Sequence, residues 1–257
     1  MGFSRGGDAE VITVGSLFSG IGGLDLGLER AGMKVIWQAE IDDFCSLILK
    51  KHWPEVPNLG DVSAIDWNTV SRPDVLAGGF PCQPVSVAGR IRGQEDDRWL
   101  WPVYAAAIRH LRPRFAIMEN VPGLLIRGMG DVLGDLAQCG YDAEWQVLPA
   151  SAFGCFHQRE RVFIVAYADG ERRKASWIFT SRNYEHYRIP QQEGRESGFL
   201  SSLDSKERLR PAPDSSFFRV ADGFPSELDK ARLKACGNSV VPAVAEFVGR
   251  SVMESLS

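Results

Sequence analysis

The chain alternates between short apolar runs and stretches in which apolar residues recur every three or four positions. An apolar run of strand length followed by helical spacing is typical of an α/β fold built on a parallel sheet. The predicted strands are residues 11–18, 35–40, 75–77, 114–123, 142–148 and 162–166, and the predicted helices are residues 24–31, 42–51, 100–111, 130–139 and 244–252. Residues 58–62 are expected to return the chain to the sheet edge. We therefore expect a doubly wound, Rossmann-like α/β domain whose ligands bind beyond the carboxyl ends of the strands.

This order breaks down between residues 169 and 225, where apolar runs are scarce and Arg, Ser, Gly and Glu are mixed with aromatic residues. We interpret residues 11–168 as the main domain and residues 169–225 as a small second region of irregular or short-stranded structure. Residues 226–257 are interpreted as a segment that returns to the main domain. Residues 1–10 are polar and glycine-rich, so we expect them to be disordered.

Composition and charge narrow the class of protein. The chain has 44% hydrophobic and 24% charged residues, as globular proteins do, and a net charge of -4. That charge argues against a generally basic protein that binds nucleic acid non-specifically, although not against a local basic face. The five cysteines are widely spaced with no C-x-x-C pair, so neither a zinc site nor a disulfide framework is indicated and no metal is expected. Without a long apolar run or a signal peptide, a cytoplasmic protein away from membranes is expected.

The first candidate site is a glycine-rich turn after the first predicted strand, S-G-I-G-G at residues 19–23. Such a turn lets the backbone approach a ligand at the positive N-terminus of the next helix, but it also occurs as a purely structural turn. It departs from the dinucleotide pattern G-x-G-x-x-G, because Asp25 stands where the last glycine would be. Glu40 follows Gly20 by twenty residues, where a carboxylate reaches ribose hydroxyls, or it simply opens the next helix. Asp61 is expected at the same sheet edge, or as a turn residue.

The second candidate site surrounds a cysteine between two prolines, in the sequence G-G-F-P-C-Q-P at residues 78–84. Proline restricts the backbone on either side of Cys82, which holds its thiol in one place, whereas a buried, inert cysteine is the structural alternative. Glu119, near the end of the strand predicted at 114–123, is expected at the same edge of the sheet. Residues 85–97 have the composition of a mobile loop that closes over a charged substrate, or of an ordinary surface loop. Strand alternation predicts that Arg159 and Arg161 lie on the same side of an extended chain.

Five motifs, taken in order, resemble those of the DNA cytosine-5 methyltransferases. They are L-F-S-G-I-G-G at 17–23, P-C-Q at 81–83, E-N-V at 119–121, Q-R-E-R at 158–161 and G-N-S-V-V-P at 237–242. The resemblance extends from about residue 12 to residue 250, except for residues 169–223. It implies a fold that binds S-adenosylmethionine, with base readout in the variable region, which is short for the family.

The resemblance also implies catalytic roles. Cys82 would add as a thiolate to carbon 6 of cytosine, which makes carbon 5 nucleophilic. Glu119 would donate a proton toward ring nitrogen 3 and would work best with a pKa raised by burial. Arg161 would hold the carbonyl oxygen of the base, and Arg159 would orient the site or contact phosphate.

The implied methyl donor is S-adenosylmethionine. By resemblance, its pocket would be lined by Phe18, Gly20 and Gly22, its ribose held by Glu40 and its adenine amino group by Asp61, with Pro81, Asn238 and Ser239 nearby. Ser16 stands where many relatives have an acid, and it is left out of the expected site.

These expectations lead to a monomeric DNA (cytosine-5)-methyltransferase of bacterial or phage type, related to restriction–modification enzymes and acting on double-stranded DNA. Because carbons 5 and 6 lie inside the duplex stack, the target base must flip out, and the loop at 84–98 would close behind it. The alternatives are a transfer RNA cytosine-5 methyltransferase, which one branch of the family represents, and a non-catalytic nucleic-acid-binding relative. Cys82, Glu119 and Arg161 together argue against the last, since a dead copy has no chemical need for all three.

Overall fold

The computed structural model describes residues 11–81, 99–155, 157–168, 178–179 and 226–256, with the side chains of residues 226–229 excepted. Cys82, the loop predicted at 84–98, residues 1–10 and almost all of the variable region at 169–225 lie outside these ranges. The described part comprises a central sheet, the helices on its two faces and the C-terminal helices.

Six strands form the central sheet. They are β1 (Thr13–Leu17), β2 (Lys34–Ala39), β3 (Val75–Gly78), β4 (Phe115–Asn120), β5 (Tyr141–Pro149) and β6 (Glu160–Ala168). Their order is β2-β1-β3-β4-β6-β5, with β6 antiparallel to both neighbours and the other pairs parallel. All six predicted strands are confirmed, although the strand predicted at 114–123 ends earlier, at Asn120.

The helices are α1 (Gly23–Arg30), α2 (Asp43–His52), α3 (Trp101–Leu111), α4 (Leu124–Arg127), α5 (Met129–Gln138), α6 (Ser226–Asn238) and α7 (Pro242–Leu256), with 3-10 turns at Val62–Ala64 and Ala150–Phe153. The five predicted helices correspond to α1, α2, α3, α5 and α7, whereas apolar spacing did not predict α4 or α6. Asn58 forms a parallel bridge with Gln38 of β2, which confirms the predicted return of residues 58–62 to the sheet edge.

Apolar side chains cover both faces of the sheet, as a doubly wound fold requires. Alternate residues of β3 and β4 face opposite sides. Leu76 and Met118 belong to the core beneath α3 and α5, while Val75 and Ile117 belong to the core beneath α1 and α7. The apolar face predicted for the last helix is confirmed, because all four of its residues are buried: Val244, Phe247, Val248 and Val252.

The C-terminal helix α7 packs directly on α1, the first helix. A Cβ atom on Gly27 of α1 would lie 2.4 Å from the Cβ of Ala245, so these two backbones approach closely only because residue 27 has no side chain. The main chain of Val240, just before α7, reaches Gly23 at the start of α1. Because α7 packs on α1, the segment between α6 and α7 lies against the N-terminus of α1.

Candidate active site

A small, partly open cavity lies at the carboxyl ends of the parallel strands. Its walls come from the turn after β1, the turn after β3, the end of β4 and the segment between α6 and α7. The lining residues are 16–20, Leu24, Gly79, Glu119 and 238–240. Residues from both halves of the chain therefore meet beside the N-terminus of α1. Folds with this sheet topology bind their ligands at this position.

The residues expected to bind the methyl donor fall into two groups. Four of them line the cavity, namely Phe18, Gly20, Asn238 and Ser239. The other four lie outside its lining, namely Gly22, Glu40, Asp61 and Pro81. Ser16, which was left out of the expected site, contributes to the cavity wall.

The turn after β1 is held by Glu40. One carboxylate oxygen accepts a hydrogen bond from the amide of Gly20 at 2.7 Å, and the other accepts from the amide of Asp42 at 2.7 Å. Phe18 adopts a left-handed conformation with φ of 52°, which is uncommon for a residue with a side chain and costs conformational energy. Glu40 thus links the turn to the end of β2, across the twenty-residue interval noted in the sequence.

Asn58 links the two segments that carry the acids expected to contact the donor, Glu40 and Asp61. Its amide oxygen accepts from the backbone N–H groups of Glu40 at 2.9 Å and Gly60 at 3.1 Å, and its amide nitrogen donates to the carbonyl of Glu40 at 3.1 Å. Asp61 follows directly and caps the 3-10 turn by accepting from the amide of Ser63 at 2.9 Å. Asn58 therefore fixes the segment bearing Asp61 to the segment bearing Glu40.

Glu119 is a buried carboxyl group paired with an arginine. Its Oε1 atom lies 3.0 Å from Nε of Arg161 on the neighbouring strand β6. Burial raises the pKa of Glu119 above its ordinary value, against the opposing effects of Arg161 and Arg159. The desolvation of the carboxylate outweighs the attraction of two cations, so this group keeps its proton to higher pH than an exposed glutamate would.

The prediction of an extended chain from Arg159 to Arg161 was wrong at Arg159. Arg159 has φ of 27°, so the chain there is not extended, and strand β6 begins only at Glu160. The two arginines nevertheless both act on the charge of Glu119. Arg159 also donates to the carbonyl oxygen of Ser239 at 2.8 Å, which ties the start of β6 to the segment before α7.

Three contacts fix the turn that leads to Cys82. The side chain of Asn120 donates to the carbonyl of Phe80 at 3.1 Å, and Phe80 itself is buried against Trp101 and other aromatic rings. A Cβ on Gly79 would lie 2.7 Å from Oε2 of Glu119, so only glycine lets this turn pass so close to the carboxyl group. Pro81 ends the described turn, and Cys82 follows it outside the described residues.

Three polar side chains that hold this region were not among the expected site residues: Asp25, Asn58 and Asn120. Asn120 stands in the E-N-V motif, and Asn58 precedes a Leu-Gly turn, which is a common place for an asparagine. The sequence singled out Asp25 only because it replaces the last glycine of the dinucleotide-binding pattern.

The described ranges contain neither a candidate membrane span nor a candidate metal centre. No helix there is long and apolar enough to cross a membrane. Within the same ranges, His, Cys, Asp and Glu residues form no group of three or more that could hold a metal ion.

Comparison with known proteins bears directly on the family. The family model described as "C-5 cytosine-specific DNA methylase" matches residues 12–224. The type II methyltransferase M.Eco47II of Escherichia coli is 42% identical over 167 residues, which cover 61% of this chain and 39% of that protein. M.NgoBI of Neisseria gonorrhoeae, also a type II methyltransferase, is 37% identical over 158 residues, covering 60% of this chain and 50% of that protein. The chain thus spans half or less of the length of these relatives.

Solved structures match the fold over nearly the whole chain. The methyltransferase EhMeth of Entamoeba histolytica has a TM-score of 0.65 at 17% identity and covers 96% of this chain and 99% of its own. A putative DNA modification methyltransferase encoded within an Escherichia coli prophage has a TM-score of 0.63 at 20% identity, covering 95% and 99%. The Rossmann-like methyltransferase fold is confirmed, and the chain belongs to the C-5 cytosine-specific DNA methylase family.

Proposed function

We propose that this chain transfers a methyl group from S-adenosylmethionine to carbon 5 of cytosine in duplex DNA. Glu119 carries the proposal, since it is a buried carboxyl with a raised pKa and an arginine 3.0 Å away, on the wall of a cavity at the strand ends. Membership of the family and the methyltransferase names of the relatives support the same reaction.

Each proposed catalytic residue has a defined task. Cys82 adds as a thiolate to carbon 6, and Glu119 donates a proton toward ring nitrogen 3, where negative charge develops. Arg161 holds the carbonyl oxygen of the base, and its ion pair with Glu119 supports that role by keeping both groups at one edge of the site. Arg159 orients the segment through its bond to Ser239. Once carbon 5 has accepted the methyl group and the proton on ring nitrogen 3 has returned to Glu119, transfer of the carbon 5 proton to solvent expels Cys82 as a thiolate and restores the ring.

The donor supplies the methyl group when bound, and the polar groups around the cavity suit it. We propose contacts from Phe18, Gly20, Gly22, Pro81, Asn238 and Ser239. Each carboxylate oxygen of Glu40 accepts one backbone N–H and keeps a lone pair, so this side chain can still accept from ribose hydroxyls. Asp61 lies on the segment that Asn58 ties to the backbone of Glu40, and it is proposed to accept from the adenine amino group.

The partner proposed for the chain is double-stranded DNA, from which the target base is flipped out. Base readout is assigned to the variable region at 169–225, between the main domain at 11–168 and the returning segment at 226–257. A monomer in the cytoplasm is proposed. No observation on the described residues favours the transfer RNA enzyme or the non-catalytic relative.

Methyl incorporation from labelled donor into duplex DNA and into transfer RNA tests the proposal, together with base-resolution methylation mapping of a host expressing the chain. We expect label in DNA alone and methylation within one short recurrent sequence. A variant lacking residues 172–215 is expected to keep donor binding and lose sequence-selective methylation. Label confined to transfer RNA would contradict duplex DNA as the proposed substrate. Methylation of cytosines without regard to the flanking sequence would contradict the proposed role of the variable region in base readout.

Substitution of Gly79 by Ala tests the close approach to Glu119. The added Cβ, 2.7 Å from Oε2, is expected to displace the carboxyl group and slow single-turnover methyl transfer by about 10- to 100-fold, since misplacing a catalytic group by about 1 Å has effects of this size. Gly134→Ala is the matched control, because a Cβ on that exposed residue of α5 meets nothing within 4 Å. Equal rates for the two variants would contradict the prediction.

A further inference from the structure

One buried charge beside the cavity has no part in the proposed reaction. Asp25, in the first turn of α1, is fully buried. Its Oδ1 accepts from the hydroxyl of Ser16 at 2.5 Å, and its Oδ2 accepts from the amide nitrogen of Gln38 at 2.6 Å. Both donors are neutral, and among the described residues no lysine, arginine or histidine pairs with Asp25. A carboxylate buried in this way is unfavourable unless something compensates its charge.

A chain of hydroxyl groups connects Asp25 to the cavity. Ser19 donates to Oγ of Ser16 at 2.9 Å or to its carbonyl oxygen at 3.2 Å, and Ser16 donates to Asp25. Each hydroxyl has a single hydrogen, and an ionised carboxylate can only accept. The hydroxyl hydrogen of Ser16 therefore points to Asp25, and that of Ser19 points to Ser16.

The direction of these bonds decides what the cavity presents to a ligand. Ser16 and Ser19 both line the cavity, and with their hydrogens directed away from it their oxygens remain as acceptors. Burial raises the pKa of Asp25 to about 6, so the carboxylate is mostly ionised at neutral pH. An acceptor backed by a buried negative charge repels phosphate or carboxylate and attracts a group that is positively charged and rich in N–H donors.

The donor of the proposed reaction carries such a group, the α-ammonium of its methionine moiety. We propose that Asp25, acting through the hydroxyls of Ser16 and Ser19, binds that ammonium group. The inference rests on the proposed function, since it takes S-adenosylmethionine as the ligand. Asp25 is then a positioning residue. Its negative charge acts on the ammonium group through the side chains of Ser16 and Ser19, and its own carboxylate oxygens do not contact the ligand.

Calorimetric titration with two ligands tests the inference. One ligand is S-adenosylhomocysteine, and the other is the same molecule without its α-amino group. Asp25→Asn is expected to weaken binding of the first by about 10- to 100-fold, the range of a hydrogen bond to a charged group, and to leave the deaminated ligand within about twofold. Asp131→Asn, which removes an exposed acid from the first turn of α5, is the matched control and should change neither affinity.

Ser19→Ala provides a second variant, since it removes an acceptor at the cavity and leaves the Ser16–Asp25 contact in place. It is expected to show the same selective loss for the ligand that bears the amino group. Equal weakening of both ligands by the two variants would mean a structural role and would overturn the inference. If the unchanged chain bound neither ligand, the proposed function would fail instead, and the inference with it.

Discussion

Replacing Glu119 with Gln is expected to slow methyl transfer by about 10²- to 10⁴-fold, the usual contribution of a positioned acid–base group, while DNA and donor binding persist. Glutamine keeps the size and hydrogen-bonding capacity of the side chain, but it has no proton to transfer to ring nitrogen 3. Single-turnover rates measure the chemical step without interference from product release. A rate within about threefold of the unchanged chain would remove Glu119 from the role of proton donor.

The pH dependence of the same variant gives an independent measure. The protonated form of Glu119 is the one that donates, so the rate should fall as pH rises through its raised pKa. This loss at high pH should be absent in Glu119→Gln. Glu246→Gln, on α7 and paired with Arg250, is the matched control and should keep both the rate and its fall at high pH.

The second large effect is expected at Cys82. In DNA that carries 5-fluorocytosine, the carbon 5 substituent cannot leave as a proton, so the covalent adduct should accumulate when the donor is present. We expect a complex that survives denaturant with the unchanged chain and none with Cys82→Ala, which should also lose methyl transfer because carbon 5 is no longer activated.

Cys236→Ala controls for general thiol reactivity, since Cys236 is an exposed free cysteine on α6. Its adduct yield should match that of the unchanged chain. An unchanged chain that methylates ordinary DNA yet forms no adduct with the fluorinated substrate would rule out the covalent mechanism.

The strands could be predicted from sequence because their packing is visible in it. Strands β3 and β4 are largely apolar runs buried on both faces, as for Phe115 and Ile117 beside Ala116 and Met118 in β4, and burial on both faces favours apolar residues at successive positions. Helix α6 offered no such pattern, because Leu233 is exposed and little of the described part of that helix is buried apart from Ala235. A helix without an apolar stripe leaves no periodic signal.

Contacts in the site could be predicted from sequence where the number of residues between the two partners determines whether they meet. The twenty residues between Gly20 and Glu40 span one helix and one strand, so the meeting of the two follows from the fold. Asn120 ends β4, whereas Phe80 lies forty residues earlier in the turn after β3, and their bond depends on a register of β3 and β4 that only the assembled sheet defines. The positive φ of Arg159 is likewise imposed by tertiary contacts, since arginine has no preference for it.

The cavity walls at residues 16–20 and 238–240 come from opposite ends of the chain, and they meet through the packing of α7 on α1 at Gly27. A nascent chain therefore has no complete cavity until helix α7 has left the ribosome and docked on α1. A ligand stabilises only the states that bind it, by about 2.7 kcal/mol at a concentration 100 times its Kd. Any ligand of this cavity would therefore stabilise molecules in which α7 has docked, and would leave those in which it has not docked unprotected against cellular proteases.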